Sequence, residues 1–456
     1  MRIKKKYLPL LLGIAIAAGI LLGSKLNFND NSDKTFATNA KKDKLNRLID
    51  YIDYEYVDKV NTDSIVDVTV NEILENLDPH SVYIPANKYQ DNADDMRGHF
   101  VGIGVSFYVY KDTIAVIKTI EGGPAEKAGI ILLQEMGVDP GIDHMSTMEI
   151  LEKIRQKGGE ITSYESFCGG ILAPESPSNP WQYKFTWNPR NVVMAGAGGA
   201  VKFIQEGLYK FIPYHKLFRR TEFLTIPGYG RFEGYANRDS LKYISEYGLD
   251  GIPTMYRGTL RRPGFCRAWD VFVQLGATDD SYRMEGVARM THRSFINSFL
   301  AYHISDSVEL KLMHYLQIPQ DSELMEMFEW LGLFAEEPVG LSSGTPAQVL
   351  QHILEKKWTM TSADTDMLVM WHRIYYTLQG QKFRLESSMV CKGKSAQNTA
   401  MAFTVGLPVA MATRLVTLGL IQERGVLLPM RKEVYAPILA ELAEWGIRFD
   451  ERLSEV

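Results

Sequence analysis

Apolar positions along the chain change period several times, and each change predicts a new element. Between Leu45 and Leu77 they fall at helical spacing, at Leu45, Leu48, Ile49 and Ile52 and then at Val66, Val68, Val70, Ile73 and Leu74, which predicts two short amphipathic helices. The stretch ENLDPHSVYIPANKY ends that pattern, because Pro79 and Pro85 cannot sit in a helix interior. From His99 the run HFVGIGVSFYVYKDTIAVIKTI is β-branched and aromatic with a turn at Lys111-Asp112, and it predicts a hairpin. GGPAEKAGI then opens a short helix with Pro124 in its first turn. From Ile131, ILLQEMGVDPGIDHMSTMEIL reads as a buried strand, a Gly/Pro/Asp turn and a helix carrying Met145, Met148, Ile150 and Leu151. That is a strand–turn–helix unit of an α/β protein. Thr345, Pro346 and Gln348 supply an N-cap, a first-turn proline and a capping box ahead of Leu350, Ile353, Leu354 and Trp358 on one face. Val434, Ile438, Leu439, Leu442 and Trp445 precede Gly446, a second helix with a stop signal.

The first residues follow neither period. Arg2, Lys4, Lys5 and Lys6 precede an uncharged run from Tyr7 to Ser24, about the shortest that spans a bilayer as a helix, and the basic residues ahead of it predict a cytoplasmic N-terminus. An uncleaved anchor over residues 1–25 competes with a cleaved signal peptide; no small-x-small site directly succeeds the run, which favours the anchor. Either one exports the body of the chain. Residues 26–96 then comprise a tether, polar and rich in Asn, Asp and Lys as far as Lys42, and the short helices.

At 456 residues the chain has room for about three domains, and 45% hydrophobic with 23% charged residues excludes wholesale disorder, collagen and coiled-coil arrays. A net charge of -5 gives no electrostatic reason to expect a nucleic-acid partner. Cys168, Cys266 and Cys391 lie far apart without a CxxC pair and read as reduced, mostly buried thiols. The nine histidines show no HExxH or similar ligand spacing, so no metal site is expected. Asp143-His144 reads as a satisfied pair at a helix N-terminus.

Residues 40–130 resemble the membrane-anchored start of a carboxyl-terminal processing protease, through YVD, LDPHSVYIPANKY and GHFVGIGVSF with GGPAEKAGI. The resemblance implies that residues 97–130 open a PDZ domain whose Gly102-Ile103-Gly104-Val105 turn would offer N–H groups to a peptide carboxylate. A plain tight turn is the competing reading of those glycines. The resemblance stops after Gly129. Only about half a PDZ domain is implied, without the protease's serine and lysine.

From residue 131 to 456 the chain resembles saccharopine reductase, the glutamate-forming, NADP-dependent dehydrogenase of lysine biosynthesis. The motifs are MGVDPGIDHMS, ESFCGGILAPESPSNPWQYKFTWNPRNVVMAG, FEGYANRDSLKY, YRGTLRRPGF, DSVELKL, GTPAQVLQHILEKKW and TVGLPVAMAT. The family resemblance implies an α/β fold: a mixed-sheet substrate domain with a helical insertion over 131–390, then C-terminal helices over 391–456 that return to a Rossmann nucleotide domain. Here the Rossmann start is missing. No strand followed by a GxGxxG turn precedes Asp139, and the membrane anchor, short helices and truncated PDZ-like segment stand in its place. GIGVSF lacks the third glycine, and AGAGGAVKF, from Ala195 to Phe203, lies where the family's substrate domain has a loop before a helix; both are decoys for a phosphate loop.

Saccharopine is a tricarboxylate with a secondary amine, so its site needs cations in fixed geometry. The resemblance carries Asp139, Arg238, Thr259, Leu260 and Arg261 over as substrate-binding positions, and Val138, Asp139, Pro140 and Asn188 as positions bordering NADP. Without it, each arginine reads as a solvated surface group and DPG as a plain turn; no catalytic residue is assigned. The leading expectation is a saccharopine reductase chain, impaired because its phosphate-cradling turn is absent, and whether it acts as an enzyme stays open. A membrane-anchored, PDZ-containing protease fragment and a chimera without function compete with it. The anchor predicts a membrane protein with an exported body, whereas the reductase family is cytoplasmic. A homodimer would cover apolar surface that the absent domain leaves open.

Overall fold

The computed structural model describes residues 131–456 except 197, 198, 238 and 320, the segments 105–110, 113–119 and 123–127, and the single helical positions 48, 49, 51, 52, 66, 69 and 70. Residues 1–101 and 102–456 are separate units. The expected anchor, tether, GIGV turn and Arg238 lie outside the described residues.

The hairpin expected after His99 is present. Strands β1 (Val105–Tyr110) and β2 (Thr113–Thr119) pair antiparallel, with Tyr110 opposite Thr113. Helix α1 (Pro124–Lys127) comes after it, with proline at its first position. Next are β3 (Ile131–Leu133) and α2 (Ile142–Gln156), in the expected order of strand, turn and helix.

A nine-stranded mixed sheet organises the rest. In chain order its strands are β4 (Glu160–Leu172), β5 (Val201–Gln205), β6 (Leu208–Ile212), β7 (Thr221–Ile226), β8 (Gly230–Ala236), β9 (Thr254–Arg261), β10 (Asp366–Leu378), β11 (Gln381–Lys392) and β13 (Phe449–Glu455). They lie in the order β13-β11-β10-β4-β9-β5-β6, with β8 also on β9 and β7 on β8. β4 and β9 run parallel; the other pairs in the sheet are antiparallel. Antiparallel neighbours need only short turns, and the β10–β11 loop is two residues, Gln379 and Gly380, both at positive φ as such a hairpin demands.

Strand alternation divides the core. On β10, Met367, Val369 and Trp371 enter one cluster while Leu368 and Met370 enter another on the opposite face. A continuous apolar run is what a strand covered on both faces requires. The first cluster lies beneath α3 (Pro189–Val193), α4 (Phe265–Leu275), and the helical insertion α5 (His292–Asn297), α6 (Val308–Leu316), α7 (Glu323–Trp330) and α8 (Pro346–Trp358). Trp181, Trp269 and Trp358 meet there with ring centroids 5.1–6.0 Å apart. The capping box at Thr345 and Gln348 forms as its sequence predicts. The second cluster joins the sheet to α2, α9 (Ala400–Thr417) and α10 (Lys432–Glu444).

Three expectations are corrected. The segment 391–456 is not helical throughout: β12 (Gly425–Leu427) pairs parallel with β3, and β13 forms an edge of the large sheet. FDERLSE is mostly exposed, so it carries no apolar period to announce a strand; its partner β11 supplies the order. AGAGGAVKF leads into strand β5 and not a helix, because Val201 and Phe203 are buried while Lys202 between them is exposed, a period of two. Trp445 falls just past the last helical residue and is 55% exposed, edge-on to Phe403, since α10 already buries Val434, Ile438 and Leu442.

Candidate functional site

The site begins with the turn between β3 and α2. Gly137 N–H donates to the Pro140 carbonyl and Ile142 N–H to the Gly137 carbonyl, closing MGVDPG into a compact loop that contains the cis Asp139-Pro140 bond. Gly141 has φ 150°, and a β-carbon there would lie 2.0 Å from the Gly137 oxygen, so the loop admits only glycine. This loop delivers Asp139 and leads into α2, whose second residue is Asp143. The Asp143 carboxylate accepts from Gly141 N–H at 2.6 Å, as expected of an acidic residue at a helix start.

Asp143-His144 is a satisfied pair at a helix N-terminus, as its sequence predicts, and Asp143 has a further partner. Arg257 of β9 donates through Nη2 to both Asp139, at 2.8 Å, and Asp143. His144 is fully buried, with Nδ1 2.6 Å from the Tyr247 hydroxyl and Nε2 2.9 Å from Glu135, whose other oxygen accepts from Lys242 at 2.9 Å. Tyr243 lies under the Arg257 guanidinium at 4.7 Å. Burial raises the Asp139 carboxyl, the neighbouring Asp143 adds to it, and Arg257 opposes both, leaving it pushed up to about 6. Asp143 moves the other way: burial would raise it, but His144, Arg257 and the Gly141 N–H hold it below the usual carboxylate range. Burial also acts on Glu135, yet its bonds to His144 and Lys242 draw it down to about 2.

Residues 257, 259 and 261 share one face of β9 and stand roughly 7 Å apart along it. Thr259 donates to the Asn237 side-chain oxygen at 2.7 Å. Arg261 is 4% exposed, its Nη1 donates to the Leu260 carbonyl, its Nε has no partner, and no carboxylate pairs with it among the described residues. Rings of Tyr183, Tyr235 and Phe265 surround its guanidinium at 4.9–5.9 Å. Thr259 and Arg261 border a cleft of about 220 Å³ with Trp187, Asn191, Tyr235 and Asn237. A larger cleft of about 560 Å³ lies elsewhere, beside Trp445; two lysines line it, Lys392, which is paired with Glu175, and Lys394.

Among the remaining expected residues, Val138 is buried in the cluster that includes Cys168, and Pro140 is exposed. Leu260 points to the opposite face of β9, fully buried in the aromatic core, and contributes only its carbonyl next to Arg261. Asn188 caps α3, accepting from Arg190 N–H. The structure thus joins Thr259 with Arg261, and Asp139 with Arg257, which the sequence reading did not single out. Its signal was present: Arg257 occupies the same alternation in YRGTLRR as Thr259 and Arg261.

A dinucleotide needs free N–H groups at a helix start for its phosphates. Among the described residues, Asp143 occupies that position on α2, Asp366 accepts from Ala400 and Met401 N–H on α9, and Glu233 accepts from Gly264 and Cys266 N–H on α4. These three helix starts do not fit a pyrophosphate. No cluster of three metal-ligating side chains lies among the described residues.

Comparison with known proteins places the chain. The family described as saccharopine dehydrogenase C-terminal domain matches residues 137–447. The mitochondrial alpha-aminoadipic semialdehyde synthase of Rattus norvegicus is 35% identical over 335 residues, 71% of this chain but 36% of the relative, so the chain spans about a third of that protein. The saccharopine dehydrogenase [NADP(+), L-glutamate-forming] of Schizosaccharomyces pombe is 32% identical over 73% of this chain and 75% of its own length. The apo structure of saccharopine dehydrogenase (L-Glu forming) from Saccharomyces cerevisiae is similar with a TM-score of 0.66 at 28% identity, over 73% of this chain and 76% of that one. A carboxy-terminal-processing protease of Bartonella bacilliformis is 25% identical over 127 residues, 28% of this chain and 29% of its own length.

Proposed function

This chain belongs to the saccharopine dehydrogenase C-terminal domain family, a family of lysine-biosynthesis oxidoreductases, and on that premise we propose that it binds saccharopine in the cleft bordered by Arg261. The reaction proposed is the NADP-dependent, glutamate-forming one named for the S. pombe relative. One observation carries the reading: Arg261 is a buried cation without a carboxylate partner among the described residues, beside a cleft. A buried charge is costly unless paired, and a ligand carboxylate is the partner that would offset the cost. Thr259 and Asn237 add neutral polar groups at the same cleft. Asp139, a fifth of whose side chain stays open to solvent, supplies a carboxylate for the amine of such a ligand.

In the proposed reaction the nicotinamide carries hydride, and the residues of this chain bind and orient the substrate. Because no strand followed by a GxGxxG turn precedes Asp139, we propose weak or absent turnover by the chain alone; measurable NADPH-dependent saccharopine formation would refute that. The front of the chain is proposed to hold this body at a membrane through residues 7–24, which fractionation of the expressed chain tests. The binding proposal is tested by calorimetric titration of the full chain, in detergent, with L-saccharopine. Arg261→Gln is expected to weaken binding by about 100-fold, the scale of a lost buried charge pair. Equal affinity of wild type and variant would remove Arg261 from the site.

A further inference from the structure

Arg257 is nearly fully buried, as Arg261 is, but the proposed substrate does not need it. Its Nη2 reaches two carboxylates, Asp139 of the loop and Asp143 in the first turn of α2, and Tyr243 closes its remaining face. We propose that Arg257 is a positioning residue: by bridging Asp139 and Asp143 it fixes the Asp139 carboxylate in one place and in its anionic form, ready for the ammonium group of an amino-acid ligand. The ligand half of this inference rests on the proposed saccharopine site.

Three observations support it. Asp143 is held twice, by Gly141 N–H and by Arg257, and so serves as a fixed post, whereas Asp139 has Arg257 as its one hydrogen-bonded cation among the described residues. Asp139 is also the more open of the two: a fifth of its side chain is exposed against about a hundredth for Asp143. Finally, two carboxylates this close disfavour a second negative charge, so without a cation one of them takes up a proton. The groups that face Asp139 are Asp143 and His144 from α2, Arg257 from β9, and Cys168 from β4. Among them Arg257 is the permanent cation. Burial and Asp143 push Asp139 up to about 6 even with Arg257 in place, so its loss moves the titration further upward, into the neutral range.

The test uses the full chain and two readouts. Difference infrared titration of the free protein, wild type against D139N, isolates the Asp139 carboxyl without any ligand. The midpoint is expected near 6 in wild type, at least about one unit higher in Arg257→Gln, and near wild type in Arg257→Lys, which keeps the charge. The second readout is L-saccharopine affinity against pH. It should fall as Asp139 protonates, with that edge displaced upward in Arg257→Gln, absent in Asp139→Asn, and unmoved in Arg261→Gln, which lowers affinity at every pH. An unchanged infrared midpoint in folded Arg257→Gln overturns the inference whether or not saccharopine binds. Failure of wild type to bind saccharopine, with the infrared shift present, overturns the proposed ligand and leaves the positioning role standing.

Discussion

Strand β9 carries two buried arginines four residues apart, and its two ends are opposite electrostatic environments. Arg257 faces Asp139 and Asp143 and is paired with both; Arg261 faces Tyr183, Tyr235 and Phe265, donates to the Leu260 carbonyl and pairs with no carboxylate among the described residues. A charge already neutralised inside the protein organises its neighbours, while a buried charge without a counter-charge at a cleft is the kind that the carboxylate of the proposed ligand would complement. Burial alone does not separate the two roles, since both side chains are nearly inaccessible. The partners do. The aromatic end is also the mechanical centre of the fold, and the acidic end is where protons matter.

The largest expected effect tests the aromatic end. Trp358 is fully buried against Trp181, Tyr183 and Phe265, and Trp358→Ala should cost about 4 kcal/mol through a cavity that rigid rings cannot fill, measured by denaturant unfolding. Unfolding that starts elsewhere, with the midpoint unchanged, would break the view that these rings are the centre. Next comes the direct contrast. Arg257→Met strands two buried carboxylates and should cost about 3 kcal/mol, whereas Arg261→Met removes an uncompensated charge and should leave stability within about 1 kcal/mol of wild type or raise it. Equal losses in the two variants would erase the distinction.

The two ends should also respond differently to pH. His372 lies between the Ser146 and Ser166 hydroxyls, and burial pushes its imidazole down to about 4 from 6.5, with Asp143 opposing and Arg257 reinforcing the shift. Between pH 6.5 and 4 the unfolded chain binds the proton and the folded chain does not, so stability falls as pH falls through that window, by up to about 3 kcal/mol. His372→Gln should flatten the stability profile there. Glu135 responds at lower pH: its folded value of about 2 lies below the ordinary 4.5, and its stabilising contribution is lost as pH falls from 4.5 towards 2. The smallest effect belongs to Asp139. Its raised value makes the anion a burden on the folded state above about pH 6, so Asp139→Asn should gain about 1 kcal/mol at pH 7, discounted for its partial exposure, and nothing below pH 4.

The sequence by itself determined the features that depend on neighbours along the chain. The β1–β2 hairpin, the Thr345 capping box, the strand–turn–helix around Asp139 and the family to which residues 137–447 belong all derive from local spacing and motifs. Arg261 and Thr259 were legible as candidates because they sit inside those motifs. The tertiary structure decided relations between segments remote in sequence. Arg257 meets Asp139 across 118 positions, and β13 gains its order from β11 although its own residues are polar and exposed. Whether a buried arginine is neutralised or free is set by which loop packs over its strand, and periodicity, which reports only the face a residue occupies, does not contain that partner.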